Sequence, residues 1–101
     1  MPVLLQFDFP FQGPFGAEMT QALDGLARSI AEEPGLRWKI WTENAAEQMA
    51  GGIYLFETPE TAAAYAKMHS ERLASFGITG IRAKTFEINE GLSQLTRAPG
   101  L

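Results

Sequence analysis

Apolar and polar residues alternate from Val3 to Phe11, with Val3, Leu5, Phe7, Phe9 and Phe11 on one parity and Leu4, Gln6, Asp8 and Pro10 on the other. A period of two marks a strand with one apolar face. Pro10 has no amide hydrogen for a ladder, so the strand ends there or lies at an edge. Gln12-Gly13-Pro14-Phe15-Gly16 reads as a turn. From Ala17 to about Glu32 the period changes: Met19, Ala22, Leu23, Leu26, Ala27 and Ile30 recur at helical spacing. That predicts one amphipathic helix, stopped by Pro34-Gly35. Alternation returns in Leu36, Trp38 and Ile40 against Arg37, Lys39 and Glu43, and Ala50 to Phe56 is apolar on both parities. The second pattern fits a strand covered on both sides, and Asn44 to Met49 is short enough to close a hairpin.

Thr58-Pro59-Glu60 opens a further helix. Thr serves as N-cap, Pro stands where its missing N–H costs nothing, and an acid meets the positive end of the dipole. This helix runs to about Ser75, with Gly77 as its terminating glycine and an apolar stripe of Ala62, Tyr65, Ala66, His69 and Leu73. Gly80 to Asn89 is the last strand. Its apolar residues change parity between Ala83 and Phe86, which predicts a bulge or face exchange near Thr85. The tail from Glu90 to Leu101 holds Leu92, Leu95 and Pro99-Gly100, and it docks on a neighbour or frays.

The predicted order is β-α-β-β-α-β, an α+β fold of the ferredoxin-like kind: one antiparallel sheet with both helices on one face, in a single domain spanning residues 1–101. By parity, Val3, Leu5, Phe7, Leu36, Trp38 and Ile40 face the helices. The opposite face then carries Gln6, Asp8, Arg37, Lys39, Trp41, Arg82 and Lys84, with Leu4, Phe86 and Ile88 among them. Such a mixed face suits a second copy packed sheet to sheet, with Trp41 in the contact, or a solvated surface with a few exposed apolar residues.

Composition narrows the function. The chain has 101 residues, 46% hydrophobic and 20% charged, as an ordinary globular domain does. A net charge of −4, with the basic residues scattered, argues against nucleic acid as a partner. There are no cysteines, which removes disulfides and thiolate catalysis and fits a cytoplasmic setting. No signal-peptide pattern opens the chain, and no apolar run approaches the roughly 18 residues of a membrane span. The glycines after the first strand lack both the dinucleotide fingerprint and a Walker lysine.

Several stretches together carry a family resemblance: Leu4-Leu5-Gln6; Gly13-Pro14-Phe15-Gly16; Glu33-Pro34-Gly35 running into Trp38-Lys39 and Trp41-Thr42-Glu43; Ala50-Gly51-Gly52-Ile53-Tyr54-Leu55-Phe56; His69 with Arg72-Leu73; and Asn89-Glu90 with Leu92-Ser93-Gln94. On these the chain resembles the YdhR-type monooxygenases, a branch of the dimeric α+β barrel proteins. The resemblance implies a homodimeric barrel. By similarity to small oxygenases of aromatic polyketides, it also implies a cofactor-independent monooxygenase acting with dioxygen on a small quinol- or anthrone-like aromatic. Haem degradation is known on the same barrel, and there His69 would ligate iron. A non-catalytic dimeric binder of small hydrophobic molecules is the alternative from outside enzymology.

Few residues suit chemistry. His69 is the only histidine, and Tyr65 and Leu73, each four residues away, aim it along the apolar stripe at the sheet. It is a general base in a partly apolar pocket, or a core histidine satisfied by one hydrogen bond. Trp38, with Phe7, Phe15 and Tyr65, would wall an aromatic pocket or simply fill the core. Tyr54 lies on a strand apolar on both faces, so its side stays open; a buried hydroxyl there needs a partner, in substrate or protein. Arg72, three residues past His69, would hold an anionic oxygen at the pocket mouth or be a solvated helix residue. One histidine with scattered acids makes no metal site, since His69 and Glu71 diverge on a helix.

Overall fold

The computed structural model describes residues 1–101. Its elements are β1 (Val3–Pro10), α1 (Gly16–Ala22), α2 (Asp24–Ala31), β2 (Leu36–Asn44), β3 (Met49–Phe56), α3 (Pro59–Ser75), β4 (Arg82–Glu87) and α4 (Glu90–Leu95). The strands form one antiparallel sheet in the order β2-β3-β1-β4, the ferredoxin-like arrangement. Val3, Leu5, Phe7 and Phe9 of β1 project from one face into a core with Tyr54 and Phe56 of β3, Met19 of α1, Ile30 of α2, and Ala62, Tyr65 and Leu73 of α3. α3 begins and ends as its sequence dictates. Thr58 caps it by accepting the Thr61 amide at 3.1 Å, and Gly77 follows it at φ +86°, where a side chain would be strained.

The predicted single helix from Ala17 to Glu32 is two, α1 and α2, meeting at Leu23, whose ψ of 11° leaves the helical range. Gly25, a poor helix former, lies in the first turn of α2. The break lets Met19 and Ile30 both reach the core.

A larger correction concerns β2. Leu36 pairs with Phe56 and Trp38 with Leu55, leaving Arg37 as an extra residue. A bulge of one residue transfers every later side chain to the other face. Lys39 and Trp41, opposite Tyr54 and Gly52, therefore lie on the helix face, while Trp38 and Ile40, opposite Leu55 and Ile53, lie on the outer face. The parity read from the sequence holds for Leu36 and is inverted for the rest. The expected bulge near Thr85 is absent: β4 keeps unbroken register with β1 from Arg82 to Glu87. As an exposed edge strand it tolerates apolar residues on both sides.

The tail does not fray. Asn89 caps α4 by accepting the Leu92 amide at 3.1 Å, and the chain then returns across the outer face. There the Trp38 indole N–H donates to Pro99 O at 3.3 Å and the Arg37 guanidinium donates to Gly100 O at 3.0 Å.

Candidate active site

A polar cluster is buried between α3 and the sheet. Tyr54 comes from β3 and is fully buried; Tyr65, His69 and Arg72 come from one side of α3 at spacings of four and three. The Tyr65 and Tyr54 hydroxyls are 3.1 Å apart and hydrogen-bonded. The His69 ring stacks on Tyr65, with centroids 5.0 Å apart, and meets the edge of Phe7 at 5.2 Å. Its Nδ1 accepts from Arg72, with Nε at 3.2 Å and Nη2 at 2.9 Å. A guanidinium can only donate, so the imidazole proton is on Nε2.

These surroundings set the charges. Burial, with the positive charges of Arg72 and Lys39, holds the His69 pKa down at about 3, so the ring is neutral at physiological pH. Burial pushes the Tyr65 hydroxyl up to about 12 and that of Tyr54 higher still, so both stay protonated.

A cavity of about 170 Å³ opens beside this cluster, walled by Phe9, Met19, Leu23, Trp41, Tyr54 and Leu73, among others. Lys39 is the one charged residue in its wall. The amine rests 3.2 Å from the centroid of the Trp41 ring and 4.7 Å from that of Tyr54. Burial, and then Arg72, lowers its pKa to about 7. A second cleft of about 300 Å³, bounded by Asp24 and Glu43, shares Met19, Leu23 and Trp41 with the first. Glu43 fixes one end of this region by accepting the Gly16 amide at 2.9 Å.

The candidate residues named from the sequence fall into distinct places. Phe7, Tyr54, Tyr65, His69 and Arg72 are brought together, and His69 points at the sheet as the stripe predicts. Of these only Tyr54 also lines the cavity. Phe15 is half-buried and packs edge-on against Phe11 at 5.7 Å, outside the cavity wall. Trp38 is on the wrong face for a pocket wall, because the bulge at Arg37 turned it outward. Lys39 and Trp41 were missed for the same reason. The available signal was Gly51-Gly52 on the partner strand: a Cβ on Gly52 would come within 2.5 Å of the Lys39 side chain.

Haem does not fit these residues. His69 is 3% exposed, wedged between Phe7 and Tyr65, with its free lone pair engaged by Arg72. A cavity of about 170 Å³, close to the roughly 150 Å³ that holds a single benzene ring, is also far too small for a tetrapyrrole.

Comparison with known proteins agrees with the fold. A putative antibiotic biosynthesis monooxygenase from Deinococcus radiodurans superposes with a TM-score of 0.58 at 12% identity, over 88% of this chain and 93% of its own. SnoaB, a cofactor-independent oxygenase from Streptomyces nogalater, superposes with a TM-score of 0.61 at 15% identity, over 87% of this chain and 93% of its own. None of the curated proteins compared matches the sequence. The family model described as "Putative mono-oxygenase ydhR" matches residues 4–99, nearly the whole chain, and the protein belongs to that family.

Proposed function

We propose that this protein is a cofactor-independent monooxygenase that oxidises a small electron-rich aromatic in the cavity between α1, α2 and the sheet. The observation that carries the reading is the cavity itself: mostly apolar walls, with Trp41 among them and Lys39 as the one charged side chain in the lining. Membership of the monooxygenase family and a fold shared with a cofactor-independent oxygenase support it. At about 170 Å³ the cavity is close to the roughly 150 Å³ that admits a benzene ring. It therefore suits one ring, and further fused rings would extend past Trp41 into the adjoining cleft, which shares Met19, Leu23 and Trp41 with it.

The chemistry asks little of the protein. An anthrone-like aryl methylene, once enolised and deprotonated, passes electrons to dioxygen without a cofactor. Its CH₂ becomes C=O with one oxygen atom of O₂, and the other leaves as water with both hydrogens of the substrate. The protein supplies an apolar enclosure, proton transfer and a partner for the oxyanion. The sequence points to His69 for the proton, but a ring whose lone pair already accepts from Arg72 is a weak base. In this geometry His69 and Arg72 form the wall behind Tyr54 and Tyr65.

The same reading includes a homodimer through the outer sheet face, as the barrel family implies. Ile40 and Phe86 are 54% and 45% exposed there, beside half-buried Leu4 and Ile53. Trp41 has no part in that contact, since it faces the helices.

Oxygen uptake by chelator-treated protein, with anthrones and naphthohydroquinones as substrates and labelled dioxygen as tracer, tests the reading. Labelled oxygen in the product supports it. Tight binding without oxygen uptake above the protein-free rate overturns it in favour of a non-catalytic binder.

A further inference from the structure

Lys39 is placed unlike the other cations of this chain. Its stem crosses β3 over Gly52, where any Cβ would lie within 2.5 Å of Lys39 Cε. Its amine ends on the Trp41 ring, in the wall of the cavity. No carboxylate lies within salt-bridge distance, the chain's ion pairs being Arg28 with Asp24 and Arg82 with Asp8. The groups facing it are the Trp41 and Tyr54 rings from the sheet, His69 and Arg72 from α3, and apolar Met19, Leu23 and Leu26 from α1 and α2. A half-buried ammonium without an anion is costly, and lysines in such settings serve as bases.

Resting on the aromatic-substrate reading above, we propose that Lys39 is the catalytic base of this site. Its neutral amine takes the hydroxyl proton of a bound hydroxyarene or enol and, as ammonium, stays beside the oxyanion it has made. The substrate O–H bond breaks, an N–H bond forms on Nζ, and the electron pair remains on oxygen. Charge balance favours the product state, because the oxyanion supplies the anion that the free site lacks. Tyr54 cannot take this role, as its hydroxyl stays protonated and is engaged with Tyr65. His69, whose pKa burial and the charges of Arg72 and Lys39 depress below that of Lys39, is the weaker base.

A chromogenic phenol that dioxygen does not oxidise tests this without turnover. 4-Nitrophenol is yellow as phenolate and nearly colourless as phenol. Bound to the wild-type protein at mildly acid pH it should be yellow, its pKa lowered by about one unit or more beside the ammonium. The Lys39→Met protein should bind it colourless. Separately, the lysine side-chain signal that Lys39→Met removes from the NMR spectrum should titrate near neutrality. A yellow complex in Lys39→Met, or yellow lost only in His69→Gln, overturns the role of Lys39 and leaves the aromatic site standing. A Lys39 signal titrating near 10 does the same. No binding to the wild-type protein at any pH refutes the aromatic site, and the role of Lys39 falls with it.

Discussion

Acid should unfold this protein partly through His69, and His69→Gln should remove that part. The folded ring resists protonation down to about pH 3, for three reasons: it is buried, its Nδ1 accepts from Arg72, and Lys39 adds a second positive charge. In the unfolded chain the same imidazole titrates near its ordinary value of about 6.5. Above that value both states are neutral and stability is fully present. Between about 6.5 and 3 the unfolded state binds the extra proton, so stability falls with pH throughout that window. At about pH 4.5 the unfolded ring is two units below its pKa, which corresponds to a loss of about 2.7 kcal/mol. Asp and Glu titrate in the same range, but their contribution is shared by His69→Gln, whose amide oxygen can still accept from Arg72. Urea unfolding at neutral pH and at about pH 4.5 gives the loss for each protein. The wild type should lose about 2–3 kcal/mol more than the variant. Equal losses would mean that the imidazole takes its proton in the folded state, and the buried cluster as described would be wrong.

Lys39 gives the complementary dependence. Its folded pKa of about 7 is below its ordinary value, so the unfolded state binds more protons between about 7 and 10 and stability rises with pH across that range. Lys39→Met should therefore stabilise the protein at pH 6, by about 2–4 kcal/mol in chemical denaturation, and the gain should fade as pH approaches 10; no gain at pH 6 would refute the strained ammonium. Gly52→Ala places a methyl group against Lys39 Cε. It should displace the amine from Trp41 and move the Lys39 titration, followed by NMR, back toward its usual range. Tyr54→Phe leaves the buried Tyr65 hydroxyl without its partner and should cost about 1–3 kcal/mol in denaturant melts. Ile40→Glu puts a charge on the outer sheet face and should turn a dimer into an 11.1 kDa monomer in sedimentation. A dimer that survives would place the interface elsewhere.

Most of the fold was legible because the governing signals are local. The alternation in Val3 to Phe11 and the Thr58-Pro59 start are decided by neighbouring residues, as is the stripe that buries Ala62, Tyr65, His69 and Leu73. The site was legible only in part. Tyr54, Tyr65, His69 and Arg72 do assemble, but β2 presented two self-consistent readings. Leu36, Trp38 and Ile40 alternate cleanly, and so do Lys39, Trp41 and Glu43. What decides between them is a one-residue bulge at Arg37, stabilised by contacts to Pro99 and Gly100 more than 60 residues away. No local pattern encodes that contact. It moved one tryptophan out of the pocket and brought a lysine in.

In a crystal structure of the protein with a naphthol bound, the rings should lie between Met19 and Leu23 on one side and Trp41 on the other, with the hydroxyl oxygen within hydrogen-bonding distance of Lys39 Nζ. A naphthol seated instead on the outer sheet face against Ile40 and Phe86, with the cavity empty at saturating ligand, would contradict it.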